Sequence, residues 1–449
     1  MALSVTLSLQ RARRLAARGE DEAAKQHYLD VLRLAPEHDT ALVELGVLAD
    51  ASGHRSAARS AYLRAIHINP NNAVAQVGFA NSVYQDNDFV VAQRHYRAAL
   101  AADPRFAPAL QGLARVLTAL GDPTAEQYWH EGFADHAVVR QRYRGTGFGI
   151  PLLLLVAARG GNVPTQCWVD NSVYAVTAIY ADFYDFAQAL PNHALTLNAI
   201  GDADLCGTAL AGAERIVAGD AAPVINHPGQ VRLTGRQENS RRLAGIPDVM
   251  VPRTTRVSRS AIGVEGDFSF PLLLRAPGFH TGQHFIRVKY RSDLAGALAE
   301  LPGEELLAIE YVDARGSDGM ARKYRVMFID GVMYPLHLAI GADWKVHYFS
   351  AAMAENPCFR EEERSFLDDM SATLGVPAMS ALSRIQATLG LDYAGVDFAL
   401  TPERSVLLFE ANATMVIDPP DSNPIWDYRR PAIGKVLQAA KRMLARHVS

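Results

Sequence analysis

The sequence predicts a multidomain chain: an all-α repeat solenoid, then an α/β domain, then an α+β domain. Three observations carry this prediction. Residue types recur at a 34-residue step near the N-terminus, an apolar run at Ile150–Ala158 opens a series of short strands and helical stretches, and strand–turn–strand signals follow it. At 449 residues the chain is long enough for two or three domains, each with its own core. A hydrophobic content of 49% with 20% charged residues is ordinary for a soluble globular protein. Lys+Arg of 44 against Asp+Glu of 48 leaves a net charge of -4, which excludes a bulk nucleic-acid binder. No membrane partner is expected, because the longest apolar run is far too short for a bilayer. Cys167, Cys206 and Cys358 are widely separated; they fit a reducing, cytoplasmic compartment and are expected to be buried thiols. The first 19 residues place their basic groups after the apolar stretch, lack a secretory pattern and are read as a repeat helix.

The repeat is defined by several columns in register. Pro36, Pro70 and Pro104 share the step, as do Ala12, Gly46, Ala80 and Ala114. So do Gly19, Gly53, Asn87 and Gly121, and Ala24, Ala58 and Ala92 with Tyr28, Tyr62 and Tyr96; Ala125 and Trp129 keep the spacing in the last passage. Small residues where helices touch, an aromatic one turn later and a closing proline describe stacked helical hairpins. The pattern resembles tetratricopeptide (TPR) repeats, four of them, over residues 1–138. Such a stack holds an extended peptide or another protein, or serves dimerisation or rigid attachment; Arg115 is a candidate for receiving acidic side chains.

After a Gly- and Arg-rich linker, Pro151–Ala158 reads as a buried strand, with Gly160-Gly161 in the loop behind it. Further strands are expected at Val176–Tyr180, Ala194–Ala199 and Pro223–Asn226, with a helix near Ala203–Ala213, which together imply an open, mostly parallel sheet. Beyond it, the strand from Pro271 ends in Arg275 and runs into the loop Gly278–Gly282, and a second strand covers His284–Val288. A glycine-bounded loop behind a basic residue can fold over phosphates and offer them backbone N–H groups. A strand from Leu306 ends near Glu310 and Val312. Asp330-Gly331 marks a hairpin carrying Lys323, Arg325, His337, Lys345 and His347. The two histidines are read as structural before catalytic.

The stretch Gly390–Pro419 holds Asp397, a turn at Thr401–Arg404 and a buried strand Val406–Phe409 running into Glu410, Ala411 and Asn412. If Asp397 and Glu410 lie on paired strands, they and Asn412 face one way, as residues two apart on a strand do. Three such oxygen donors suit a hard cation shared with phosphates; the competing reading is ordinary polar residues at strand ends.

The Asp, the thirteen-residue step to Glu and the Glu-x-Asn ending resemble the C-terminal metal motif of the ATP-grasp superfamily of carboxylate-amine and carboxylate-thiol ligases, which includes glutathione synthetase and the ribosomal-protein glutamate ligases. The resemblance implies a pre-ATP-grasp domain at 148–255 and an ATP-grasp domain at 256–449. It implies ATP and two Mg²⁺ ions, replaceable by Mn²⁺, held by Asp397, Glu410 and Asn412. By the same resemblance Arg236 and Arg275 reach the nucleotide phosphates, each standing where Lys is commoner. Gly278 and Gly282 bound the phosphate lid, and Glu310 and Val312 form the adenine hinge. Asp318 reaches the ribose, with Arg315 and Ser317 as rivals, and Lys323 lies beside the nucleotide. Arg325 and Lys345 supply charge to the transferred phosphoryl group, because the family's basic residue two before the metal Asp is Gly395 here. The implied activity is an ADP-forming ligase that joins a carboxylate to an amine through an acyl phosphate, with the repeats presenting a peptide or protein substrate. The alternatives are a phosphotransferase on the same fold and a repeat scaffold with a degenerate nucleotide domain.

Overall fold

The computed structural model describes residues 2–262, 268–279, 282–346, 348 and 351–448. The chain divides into two compact units, Met1–Val139 and Arg140–Ser449.

The first unit is a TPR-like stack of helical hairpins: α1 (Ala2–Arg18) with α2 (Asp21–Leu34), α3 (Asp39–Ala51) with α4 (Arg55–Ile68), α5 (Ala73–Tyr84) with α6 (Phe89–Ala102), and α7 (Ala107–Ala119) with α8 (Ala125–Phe133). The column Gly19, Gly53, Asn87 and Gly121 is where each hairpin turns, with φ of +81, +79, +61 and +70. An L side chain in that left-handed region costs about 1–2 kcal/mol, so the column records a backbone demand. The tyrosine column is a packing demand. The Tyr62 ring lies where a Cβ on Gly46 or Gly78 would come within 2.7 or 2.5 Å, and Tyr96 fills the same space beside Gly112. The polar tips are satisfied: Tyr62 donates to Asp50 (3.1 Å), Tyr96 to Asn81 (2.6 Å) and the Trp129 indole to Thr118 (3.0 Å).

In the second unit, after β1 (Val138–Arg140), strands β2 (Ile150–Val156), β3 (Tyr174–Tyr180), β4 (Leu195–Asn198) and β5 (Val224–Ile225) pair in parallel in the order β3-β2-β4-β5. The strands fall where the sequence places them, but no helix forms between β2 and β3 or between β3 and β4. Gly160, Gly161 and Pro164 break any helix after β2, and Asn162 braces the loop by exchanging hydrogen bonds with the Ala157 backbone (2.7 Å each way). The expected helix near Ala203 begins later, as α9 (Gly207–Ala218), because Asp202 accepts the Asp204 and Leu205 amides in a turn. The short α10 (Pro228–Arg232) and α11 (Arg236–Leu243) follow, then β6 (Val249–Met250).

A four-stranded antiparallel sheet comes next, with β7 (Thr254–Ser258), β8 (Leu272–Arg275), β9 (Phe285–Val288) and β10 (Glu305–Glu310) in the order β7-β10-β8-β9, and α12 (Leu294–Glu300) over its core. The last sheet orders β12-β11-β13-β14-β6, from β11 (Ala321–Ile329), β12 (Val332–Gly341), β13 (Tyr393–Leu400) and β14 (Val406–Asn412). Asp330 and Gly331 turn β11 into β12 with φ of +51 and +79, the backbone that a two-residue hairpin requires. Helices α13 (Pro357–Asp368), α14 (Met370–Leu374), α15 (Val376–Leu389) and α16 (Arg430–Val448) complete the unit. Ile433, Val436, Ala440 and Met443 of α16 share one core with Leu152, Val176 and Leu195 of the parallel sheet and with Met327 and Tyr393 of the last. Tyr393 stacks on Trp168 at 5.4 Å and exchanges backbone hydrogen bonds with the Asn226 amide, which ties the first sheet to the third.

Three sequence expectations are corrected. Cys206 is buried, but Cys167 and Cys358 are exposed. Lys345 lies beyond the end of β12 rather than on the hairpin, since the strand stops at Gly341. Phe409, expected in a buried strand, is 43% exposed because a bulge leaves it without a partner on β13. Among the described residues no helix is long and apolar enough to cross a membrane.

Gly53 has open space around its missing Cβ, so Gly53→Ala should cost only the left-handed penalty, about 1 kcal/mol. Tyr96→Ala empties a fully buried site and should cost about 3–5 kcal/mol. Urea unfolding followed by helical circular dichroism compares the two, and equal losses would remove the packing role given to the tyrosine column.

Candidate functional site

The register of the last sheet builds the site. Arg325 of β11 is the partner of His337 on β12 and of Asp397 on β13, and Asp397 is the partner of Glu410 on β14. One row across four strands therefore carries His337, Arg325, Asp397 and Glu410. Bulges sit beside it on both flanks, after Arg325 and after Asp397, and bulges re-aim the side chains next to them. Pro335 is tolerated at the first because β12 is an edge strand.

The row is a network of charges. Arg325 grips Asp397 with two hydrogen bonds, Nε to Oδ1 at 2.6 Å and Nη2 to Oδ2 at 2.8 Å. Lys323, two residues earlier and so on the same face, donates to Oδ2 at 3.1 Å. Arg236, the first residue of α11, donates to Glu410 Oε1 at 2.6 Å and to Asp204 at 3.0 Å, while its backbone amide also reaches Asp204 (3.1 Å). Burial opposes the ionisation of Asp397, but Arg325 and Lys323 overcome it and hold the carboxyl below the usual carboxylate range. Glu410 follows the same pattern, with Arg236 and Arg275 as the winning charges. Arg275 is pushed the other way, its pKa lowered by burial and by the neighbouring Arg236. It donates to the Phe279 carbonyl at 2.5 Å, and its Nε has no partner among the described residues.

These groups line one cavity of about 1140 Å³ in the second unit, bordered by the four-stranded sheet and the last sheet. Of the sequence-predicted residues it brings together Arg236, Arg275, Gly282, Glu310, Val312, Lys323, Arg325, Lys345, Asp397 and Glu410. Lys345 bonds the Gly282 carbonyl at 3.2 Å, closing one side. Glu310 accepts the Arg253 amide at 3.2 Å where β10 ends. Gly278, Asp318 and Asn412 lie off the lining. Asp318 pairs with Arg322 at 2.8 Å, which lowers its pKa to about 2. Asn412 turns its Oδ1 to the amide and hydroxyl of Thr414 (2.9 and 2.8 Å). In the expected phosphate loop, residues 280 and 281 lie outside the described residues, and so does His347.

Several lining residues carried no sequence signal. Phe285, Tyr311 and Trp344 form an aromatic wall, with Phe285 and Trp344 edge to face at 5.2 Å and Arg287 over both Tyr311 and Trp344. Such a wall suits a flat aromatic ring. Asp204 reaches Arg236 across 32 residues of chain, so no local spacing betrays it. Gly160-Gly161 serves packing: a Cβ on Gly161 would meet Cys206 Sγ at 2.5 Å, and the Gly161 carbonyl accepts the Gly201 and Asp202 amides.

Comparison with known proteins bears on the first unit alone. No family model and no curated protein matches the chain. Among solved structures, MamA is 18% identical, over 30% of this chain and 74% of that one, with a TM-score of 0.28. The first TPR of Spaghetti (RPAP3), solved bound to an HSP90 peptide, is 14% identical over 27% of this chain and 96% of its own, at 0.26. A thermophilic TPR protein of Thermus thermophilus is 19% identical over 29% and 73%, at 0.27. Scores this low carry no argument, and the description of the first unit as TPR-like rests on its turns and tyrosines.

Proposed function

We propose that the second unit is an ATP-dependent ligase of the ATP-grasp type. It joins a carboxylate to an amine through an acyl phosphate and releases ADP, while the repeat unit holds a peptide or protein substrate for modification. The observation that carries this reading is the facing pair Asp397 and Glu410, both kept ionised inside a cavity that also gathers Arg236, Arg275, Lys323, Arg325 and Lys345. Facing carboxylates need cations to coexist, and cations beyond those the carboxylates use leave room for a polyphosphate.

The donor set fits a hard divalent ion. Glu410 Oε2 accepts no hydrogen bond among the described residues, whereas Asp397 Oδ2 already accepts from Arg325 and Lys323 and Oδ1 from Arg325, so an ion would rest on Glu410 Oε2 and the remaining lone pair of Asp397 Oδ1. Mg²⁺ or Mn²⁺ held by Asp397 and Glu410 would neutralise β- and γ-phosphate charge. Around it the chain's own groups divide the work. The aromatic wall of Phe285, Tyr311 and Trp344 takes the base beside Glu310 and Val312. Arg236 and Arg275 bind phosphate oxygens, with the unpartnered Arg275 Nε as the donor left to give. Arg325 and Lys323 stabilise charge on the transferred phosphoryl group, and Lys345, bonded to the Gly282 carbonyl, adds a cation at that side of the cavity.

Incubation with ATP, Mg²⁺ and pools of amino acids and peptides, read by ADP release and product mass, tests the reaction. ADP formed without any amine acceptor would instead identify a phosphotransferase. Glu410→Gln keeps the shape of the side chain and should cut ADP release about 100-fold or more while the protein remains folded. Unchanged turnover would refute the metal assignment.

The pH dependence of stability has a definite sign. Burial, and then Arg325, push the pKa of His337 well below the free value, so the folded protein keeps the ring neutral. The unfolded chain takes up a proton there below pH of about 6.5, so His337 makes stability fall as pH drops through that value. The decrease in melting temperature between pH 7 and pH 5 should therefore shrink in His337→Gln. An unchanged decrease would show that the ring is not held neutral.

A further inference from the structure

Beyond His337 the cavity continues into a recess that the nucleotide reading leaves unused. Its floor is Arg429, the last residue of the 3-10 turn Pro424–Arg429, only 7% exposed and on the cavity lining. The guanidinium lies 4.2 Å over the Tyr348 ring and 6.0 Å from Trp426. Its countercharge is Glu363 of α13, fully buried, with 3.4 Å between Arg429 Nε and Oε1. That contact is not a hydrogen bond, and Arg429 Nε has no hydrogen-bond partner among the described residues. The Glu363 oxygens are taken by other donors: the Leu338 amide on Oε1 (3.2 Å), and the Tyr428 and Tyr348 hydroxyls on Oε2 (2.5 and 3.5 Å). A buried guanidinium has been neutralised while its N–H groups remain unspent.

Such a group is costly unless an anion completes it. Glu363 balances the charge without occupying the fork, so the remaining need is for a planar acceptor, which a carboxylate matches with two parallel bonds. Trp426 and Met353 give the lining an apolar flank, and the exposed Asp418 and Asp421 on the same lining favour a positive group. We propose that this recess binds an α-amino acid, its carboxylate on Arg429 and its ammonium toward Asp418 and Asp421. Resting on the ligase reading, this makes an amino acid the amine partner of the reaction.

Calorimetry on the full chain without nucleotide tests the recess separately from the ligase chemistry. The probes are the twenty L-amino acids and their carboxamides. At least one amino acid should bind, and its carboxamide should bind about 10- to 100-fold more weakly, the value of hydrogen bonds to a charged group. The double variant Arg429→Met/Glu363→Gln removes both buried charges together and should lose the preference for the acid over the amide, whereas Arg429→Lys, which keeps the charge but not the fork, should lose most of it. Thermal melts report whether each variant folds, and the comparison of acid with amide on the unaltered protein stands even if neither does. Equal binding of acid and amide, or no binding by any of the twenty, overturns the proposal. Arg429-dependent binding in a protein that neither binds ATP nor releases ADP would uphold the recess and overturn the ligase reading.

Discussion

The second unit depends on the two-pronged bond between Arg325 and Asp397, made on adjacent strands in the interior of its last sheet. Removing one partner of such a buried pair costs about 3–5 kcal/mol, because the remaining charge is left in a poorly solvating interior. The pair is therefore a poor source of stability and a strong constraint on arrangement. It fixes the register of β11 against β13 through side chains as well as backbone, and it holds Asp397 ionised where burial alone would protonate it. Everything placed around it inherits that charge pattern. Lys323 shares the acid from the same face, and Arg236 and Arg275 are drawn to Glu410 one strand further on.

Much of this was legible locally. The turn at Thr401–Arg404 before the apolar run Val406–Phe409 and the Asp330-Gly331 dipeptide specify two hairpins, and the strands and their pairing follow. The 34-residue columns were legible for the same reason: each one is a demand that a single residue meets, a positive φ at the turn or a small residue under a ring. What could not be read is what the third dimension adds. Asp204 joins Arg236 through the packing of α9 and α11, and Glu363 sits in the run Arg360-Glu361-Glu362-Glu363-Arg364, which has the composition of a solvated helix face. Only the position of α13 against β12 decides that Glu363 alone of that run is fully buried.

The bulge after Asp397 is a further case. A regular strand covered on both faces would bury the whole apolar run Val406–Phe409, as Val406, Leu407 and Leu408 are buried here. The extra residue on β14 releases Phe409 toward the cavity while Asp397 and Glu410 stay opposite each other. With Leu400 opposite Val406 at the turn, a regular ladder would set Phe409 opposite Asp397; the bulge brings Glu410 there instead. Periodicity in the sequence carries no mark of that irregularity.

Gly395 shows how one packing constraint moves charge from one strand to another. Two residues before Asp397 it faces the same way, so it is a natural place for a basic side chain. Yet a Cβ there would come within 2.5 Å of Met415 and 2.9 Å of the Met327 sulfur, both in the core shared with α16. Neither is a flexible surface group, so a lysine at this position would have to displace packed interior atoms at a cost of about 1–3 kcal/mol or more. The neighbouring strand escapes that restriction. Lys323 and Arg325 approach Asp397 from β11, where the cavity leaves space for long side chains, and they bring two positive charges to the carboxylate without entering the core. The positive charge on Asp397 comes from the adjacent strand because Met415 and Met327 already fill the space at Gly395.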